Sequence, residues 1–297
     1  MGNRKIIVDH RDHLLSLGQA DPQHTKQPIE FNKFSQANRN KNGSDGLAVS
    51  SVHRGLIPKS SSPCNHQGSG LGKAKIYKCI SSLVNFPLQH TLTGHSGKVL
   101  AAKFLGSAFL VTGSHDRTLK IWDLKNRSCT ETKFAGSSCN DLVTTDSFSF
   151  ISGHVDKKIR FWDVRTADCT ANDIPLQGKI TSLDLSKDGK FLLCCVRDDT
   201  INLLDLRQNR IVRTFRNDNF KVGCDWSRVA FSPSSSRIAA GSADGSVFIW
   251  NINGPLETVL KDPNGSGAAV TAVSWHPFSS TLASVDRAKK CTIWSNA

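Results

Sequence analysis

The sequence predicts an all-β chain of five repeats behind a disordered basic tail, and three observations predict it. First, closing positions recur at Trp122, Trp162, Leu204, Trp250 and Trp294, at intervals of 40, 42, 46 and 44 residues. That period suits four short strands with their turns. Second, alternating apolar runs such as Val99 to Phe104, Phe109 to Val111 and Leu119 to Trp122 are broken by turn residues, as in Gly113-Ser114-His115-Asp116-Arg117. Third, an Asp stands six residues before four of the five closing positions, at Asp116, Asp156, Asp198 and Asp244, with Ala288 in the fifth. A carboxylate there braces a tight turn by accepting backbone N–H groups.

In chain order, residues 1–75 are rich in Asn, Ser, Gly, Lys and His, as in Asn38-Arg39-Asn40-Lys41-Asn42-Gly43-Ser44. Such a composition buries too little apolar surface to offset the entropy of ordering, so this tail is predicted disordered. Leu14-Leu15-Ser16-Leu17 is a stray apolar patch within it. From Ile76 the texture changes, and 76–297 is predicted as one domain with repeats near 88–123, 129–163, 172–206, 211–252 and 256–297. Strands are expected at Ile76 to Ile80 and Leu88 to Leu92.

The stretch from Gly94 to Asp123 is the template repeat. Its Gly-His opening, its Asp before the Trp and its closing Trp-Asp match one blade of a WD-repeat β-propeller. His95, Thr112, Asp116 and Trp122 are expected to form a buried hydrogen-bond chain from indole through hydroxyl and imidazole to carboxylate. Buried polar groups of this kind are tolerable only when each is partnered, so the four are structural and not catalytic. The hydroxyl position reads Thr112, Ser152, Cys194, Ala240 and Ser284 along the chain, and only the first repeat has the His. Strand pairing and apolar packing must hold the other blades.

The chain carries 38 Lys and Arg against 25 Asp and Glu, a formal charge of +13. The excess is diffuse and no aromatic-rich basic motif accompanies it, which argues against nucleic acid and leaves weak contact with anionic membrane. Nine Cys without C-x-x-C pairs read as reduced and structural. No phosphate loop, nucleophile elbow or spare carboxylate pair is present, so no enzyme, cofactor or metal is expected.

In a propeller, the loops before the inner strands and the turns before the closing positions gather at one rim. Here they bring Lys98, Asn140 and Lys179 together with His115, Val155, Arg197, Ala243 and Arg287. Such a rim is predominantly basic and favours acidic peptides or an anionic, membrane-associated partner.

Longer strings narrow the relationship. His90-Thr91-Leu92-Thr93-Gly94-His95-Ser96-Gly97-Lys98-Val99, Gly113 to Lys120, Phe134 to Asp141, Asp156 to Asp163 and Gly223 to Val229 resemble the C-terminal WD-repeat domain of the autophagy-related protein 16 family. The resemblance spans roughly 88–294. It implies a non-enzymatic scaffold that binds protein partners of the autophagy conjugation machinery and membrane-protein tails. It also implies a cytoplasmic location, peripheral at autophagosome precursors or endolysosomal membranes. In the family a rim site couples the propeller to the proton pump. Asn140 and Lys179 match that site, while Val155 stands where the family has Phe.

The family propeller has seven blades behind a conjugation-enzyme-binding helix and a coiled coil. This chain shows five repeats and no heptads in 1–75, so direct binding of that enzyme is not expected. The five repeats are expected to form an open or strained arc. Closure would require the Leu88 to Leu92 strand to complete the blade of Cys291 to Trp294. The alternative reading is a generic WD-repeat adaptor, such as a ubiquitin-ligase substrate receptor.

Overall fold

The computed structural model describes residues 4–8, 73–78, 88–166, 173–263 and 265–295, and the regular elements among them are all strands. They form six antiparallel sheets in chain order. The first holds β1 (Arg4–Val8), β2 (Lys73–Lys78) and β3 (Leu88–Thr93). Four four-stranded sheets follow. They are β4 (Val99–Leu105) to β5 (Phe109–Ser114), β6 (Thr118–Asp123) and β7 (Ser128–Phe134); then β8 (Cys139–Thr144), β9 (Ser149–His154), β10 (Lys158–Asp163) and β11 (Ile174–Pro175). Next come β12 (Ile180–Leu185), β13 (Phe191–Val196), β14 (Thr200–Asp205) and β15 (Arg210–Phe215), then β16 (Val229–Phe231), β17 (Arg237–Gly241), β18 (Val247–Asn251) and β19 (Leu256–Leu260). The last sheet has three strands, β20 (Val270–Trp275), β21 (Leu282–Asp286) and β22 (Cys291–Trp294).

Two-residue periodicity places successive side chains on opposite faces, and here both faces are buried. In β13, Leu192, Cys194 and Val196 join a cluster with Val143, Ile151 and Ile159 of the preceding sheet. Leu193 and Cys195 point the other way, into a cluster with Val229, Ile238 and Trp250 of the following one. The core is therefore a series of layers between sheets. The free cysteines Cys139, Cys194, Cys195 and Cys224 are buried in these layers, as small apolar residues.

The layers are thin near the rim. A Cβ at Gly113 would lie 2.5 Å from Cys139, one at Gly153 2.5 Å from Ile180, and one at Gly241 2.4 Å from Val270. Each glycine is the last or next-to-last residue of a second strand, and each neighbour opens the inner strand of the next sheet. Only a residue without a side chain admits that approach.

Inner strands also share a bulge. Register slips between Val99 and Ala101, Cys139 and Asp141, Ile180 and Ser182, and Val270 and Ala272. A bulge re-aims the extra side chain. Asn140 Nδ2 donates to the Ile180 carbonyl at 2.8 Å, and Thr181 Oγ1 donates to the Ser227 carbonyl at 3.0 Å. Both bonds stitch one sheet to the next.

The ends of the array correct the reading of the tail. Arg4–Val8, assigned to a disordered 1–75, is a strand paired antiparallel with Lys73–Lys78, from Arg4 opposite Lys78 to Val8 opposite Ala74. The apolar run Ile6-Ile7-Val8 is short, but it finds a template in β2. Leu14 to Leu17 lies outside the described residues. The strand β3 pairs with β2, and no pairing joins it to β22 among the described residues. The strand Leu88–Thr93 therefore belongs to the first sheet and does not extend the last one.

Substituting Gly241→Ala tests the interlayer contact, because the new methyl meets the Val270 side chain and its carbonyl oxygen. The variant is expected to lose about 1–3 kcal/mol in urea unfolding. An unchanged midpoint would show that the layers can separate at no cost.

Candidate partner-binding rim

One backbone hydrogen bond builds the rim and recurs in five sheets. The turn after each second strand donates an N–H to the carbonyl of a residue in the loop before the inner strand, in four repeats the residue immediately before it. His115 bonds Lys98 at 2.8 Å, Val155 bonds Ser138 at 3.1 Å, and Arg197 bonds Lys179 at 2.9 Å. Ala243 bonds Lys221 at 2.8 Å and Arg287 bonds Ala269 at 3.0 Å. The predicted rim positions His115, Val155, Arg197, Ala243 and Arg287 are thus equivalent, as are Lys98 and Lys179.

Asn140 is not equivalent to those lysines. Its register mates are Leu100 and Thr181, and it is buried at 8% exposure with its amide committed to the next sheet. Its rim assignment is corrected: a bulged inner-strand residue points along the layer, not out of it.

The basic character is also tempered. Lys179 and Arg197 converge on Asp225, at 3.8 Å and 3.2 Å, and the Arg197 guanidinium also donates to the Val222 carbonyl. Lys221 lies 3.2 Å from Asp199. This sector carries mixed charge, whereas His115 and Arg287 are exposed and Lys98 half-buried.

Beneath the rim, the first repeat holds the expected polar chain. Trp122 Nε1 donates to Thr112 Oγ1 at 2.8 Å, and Thr112 Oγ1 lies 2.7 Å from His95 Nε2. His95 Nδ1 lies 2.8 Å from Asp116 Oδ2. A neutral ring carrying its proton on Nδ1 satisfies every group: Thr112 donates to Nε2, and Nδ1–H donates to the carboxylate. Burial lowers the His95 pKa against the pull of Asp116. Burial opposes the Asp116 charge, but the Thr118 hydroxyl, His95 and the Thr118 N–H bring its pKa down to about 2.

Turn carboxylates recur by the same chemistry. Asp198 accepts from Thr200 N and Oγ1 at 3.2 and 2.6 Å, and Asp244 from Ser246 N and Oγ at 3.1 and 2.9 Å. Asp156, with Lys158 at the corresponding place, instead receives both guanidinium nitrogens of Arg160, at 3.0 and 2.6 Å. The fifth turn has Ala288, and Asp286 takes over by accepting the Lys290 N–H at 2.9 Å. The residue after the turn carboxylate has positive φ in Arg117, Lys157, Asp199 and Gly245.

Closing indoles behave as the hydroxyl positions dictate. Trp162 Nε1 donates to Ser152 Oγ at 2.6 Å and Trp294 Nε1 to Ser284 Oγ at 2.9 Å. Trp250, whose repeat has Ala240 at the hydroxyl position, packs instead with Phe215, Phe220 and Phe248.

Sequence reasoning missed His154. It comes from the end of β9, yet its Nε2 lies 2.7 Å from Ser152 Oγ and its Nδ1 3.1 Å from the Ser137 carbonyl. Burial, then Arg160, pushes its pKa down to about 4. The signal was present, since a Gly-His pair at 153–154 follows a hydroxyl. Asp225 was missed as well, being a loop residue whose partners lie in another sheet.

Stacked four-stranded meanders with carboxylate-braced turns and indole-to-hydroxyl bonds define a WD-repeat protein. The family model "WD domain, G-beta repeat" matches residues 86–123, 172–205, 210–251 and 256–295, and the chain belongs to that family. The second repeat falls outside the matched segments although its sheet has four strands. Ala135 stands there where His95 stands in the first, and its imidazole comes from β9.

Within the WD-repeat proteins, the chain's kinship is with the autophagy-related protein 16 family. It is 40% identical to Protein tipD of Dictyostelium discoideum over 211 residues, 69% of this chain and 34% of that protein. It is 48% identical to Protein Atg16l2 of Homo sapiens over 122 residues, 41% of this chain and 19% of that protein. It is 35% identical to Autophagy-related protein 16 of Arabidopsis thaliana over 213 residues, 70% of this chain and 41% of that protein. The chain spans well under half the length of each of these relatives.

Two outcomes follow from the polar chains. Thr112→Val keeps the shape but leaves the Trp122 and His95 nitrogens unpaired, so it is expected to cost about 2–4 kcal/mol in urea unfolding. A loss below 1 kcal/mol would show the chain to be ornamental. For His154, the fold favours the neutral ring while the unfolded chain takes up a proton below pH 6.5. Stability therefore falls by about 3 kcal/mol as pH drops from 6.5 to 4. His154→Leu is expected to flatten that slope, measured as unfolding free energy against pH.

Proposed function

We propose that the chain is a non-enzymatic interaction scaffold in autophagy that binds partner peptides on its propeller rim. The recurrent turn-to-loop bond carries this reading, because it holds five turn residues and their loop partners on one rigid edge. Lys98, Lys179, Arg197 and Arg287 supply positive charge there, His115 an exposed imidazole, and Val155 an apolar point of contact. Kinship with proteins named for autophagy supports the biological setting, and with it a cytoplasmic protein peripheral to autophagosome precursors. Acidic segments of membrane-protein tails fit a surface of this charge, with Asp225 setting the register of Lys179 and Arg197.

The test uses the tagged full chain in starved cells. A Lys98→Ala, Lys179→Ala, Arg197→Ala triple variant is expected to reach autophagosomes about tenfold less than the wild type while keeping its unfolding midpoint. Undiminished recruitment of the folded variant would overturn the rim assignment.

A further inference from the structure

We propose that the fifth repeat holds a vacant seat for an imidazole ring, the side chain of a histidine presented by a bound peptide. Three sheets share an indole-to-hydroxyl bond: Trp122 to Thr112, Trp162 to Ser152 and Trp294 to Ser284. In two of them an imidazole nitrogen lies 2.7 Å from that hydroxyl, His95 on Thr112 and His154 on Ser152. The two rings arrive from different segments, one from the loop before β4 and one from the end of β9. What recurs is the ring, not the stretch of chain that delivers it.

The third and fourth repeats have Cys194 and Ala240 at the hydroxyl position and pack apolar side chains nearby. Leu176 precedes Lys179 by three residues, as His95 precedes Lys98, and it packs with Cys194 and Leu204. Phe220 stands edge-on to Trp250 with ring centroids 5.2 Å apart.

In the fifth sheet, the bond from Arg287 to Ala269 sets the register. Counting back from Ala269 places Gly265 and Ser266 where the first repeat has Gly94 and His95. Ser266 is exposed. Beside it lies a cavity of ≈ 210 Å³ lined by Ser266, Ser284, Asp286, Lys290, Thr292 and Trp294 among others. An engineered cavity of about 150 Å³ accepts benzene, so a five-membered ring fits by volume.

The lining also matches an imidazole in chemistry. Ser284 Oγ accepts the Trp294 N–H and retains one hydrogen to donate, which suits the unprotonated ring nitrogen. The Asp286 carboxylate, held by the Lys290 N–H, suits the protonated one. A phenyl ring offers neither group.

The experiment follows the Trp294 indole N–H of the full chain by NMR at about pH 8, where imidazole is neutral. The signal is assigned by its loss in Trp294→Phe. Titrations use free imidazole and the tripeptide Gly-His-Ser. The wild type is expected to show a saturable shift with both, tighter for the tripeptide. Ser284→Ala is expected to weaken both about tenfold. Ser266→His supplies a ring from the loop, so its Trp294 signal should start shifted and ignore added imidazole. An indole signal unmoved in the wild type by imidazole at about a hundred millimolar would overturn the proposal, as would a Ser266→His protein that binds like the wild type. A response to imidazole with none to the tripeptide would overturn the peptide source.

Discussion

Packing of each sheet against both of its neighbours is the constraint on which the rest of the molecule depends. A strand with two buried faces cannot hold itself in place. Leu193 and Cys195 need the following sheet as much as Leu192 and Cys194 need the preceding one. Glycine at 113, 153 and 241 lets the layers close near the rim, and bulged Asn140 and Thr181 stitch them with hydrogen bonds.

The rim inherits its geometry from that packing. Turn residues project where they do because their backbone N–H groups are bound to the loop before the inner strand, five times over. Beneath the rim, each repeat solves the same filling problem with what its sequence offers. A loop histidine and a strand histidine reach the hydroxyl in the first two repeats, a leucine stands at the His95 position in the third, and Phe220 packs against the closing indole in the fourth. Interchangeability of this kind explains how a WD-repeat sheet persists where the family pattern fades, as in the second repeat.

The repeats, their closing positions and their turn carboxylates were legible in the sequence because each is a local matter. An Asp two residues before a Thr or Ser braces its own turn whatever lies around it, as Asp116, Asp198 and Asp244 do. The hydroxyls at Thr112, Ser152 and Ser284 were equally readable, since their indole partners sit ten residues away on the adjacent strand of the same sheet. The rim was legible as a set of turns. It was not legible as a charge surface, because Asp225 reaches Lys179 and Arg197 across sheets.

By itself, then, the sequence determined a five-repeat all-β chain, the turns before its closing positions, the polar chain of His95, Thr112, Asp116 and Trp122, and the kinship with autophagy-related protein 16. Tertiary structure alone decided that Arg4–Val8 joins a sheet, that β3 pairs with β2, that Asn140 is buried, and that Ser284 and Trp294 line a cavity in the fifth repeat. The division has one physical reason. Spacing along the chain reports contacts within a hairpin, whereas contacts between sheets depend on which distant segment fills a shared gap.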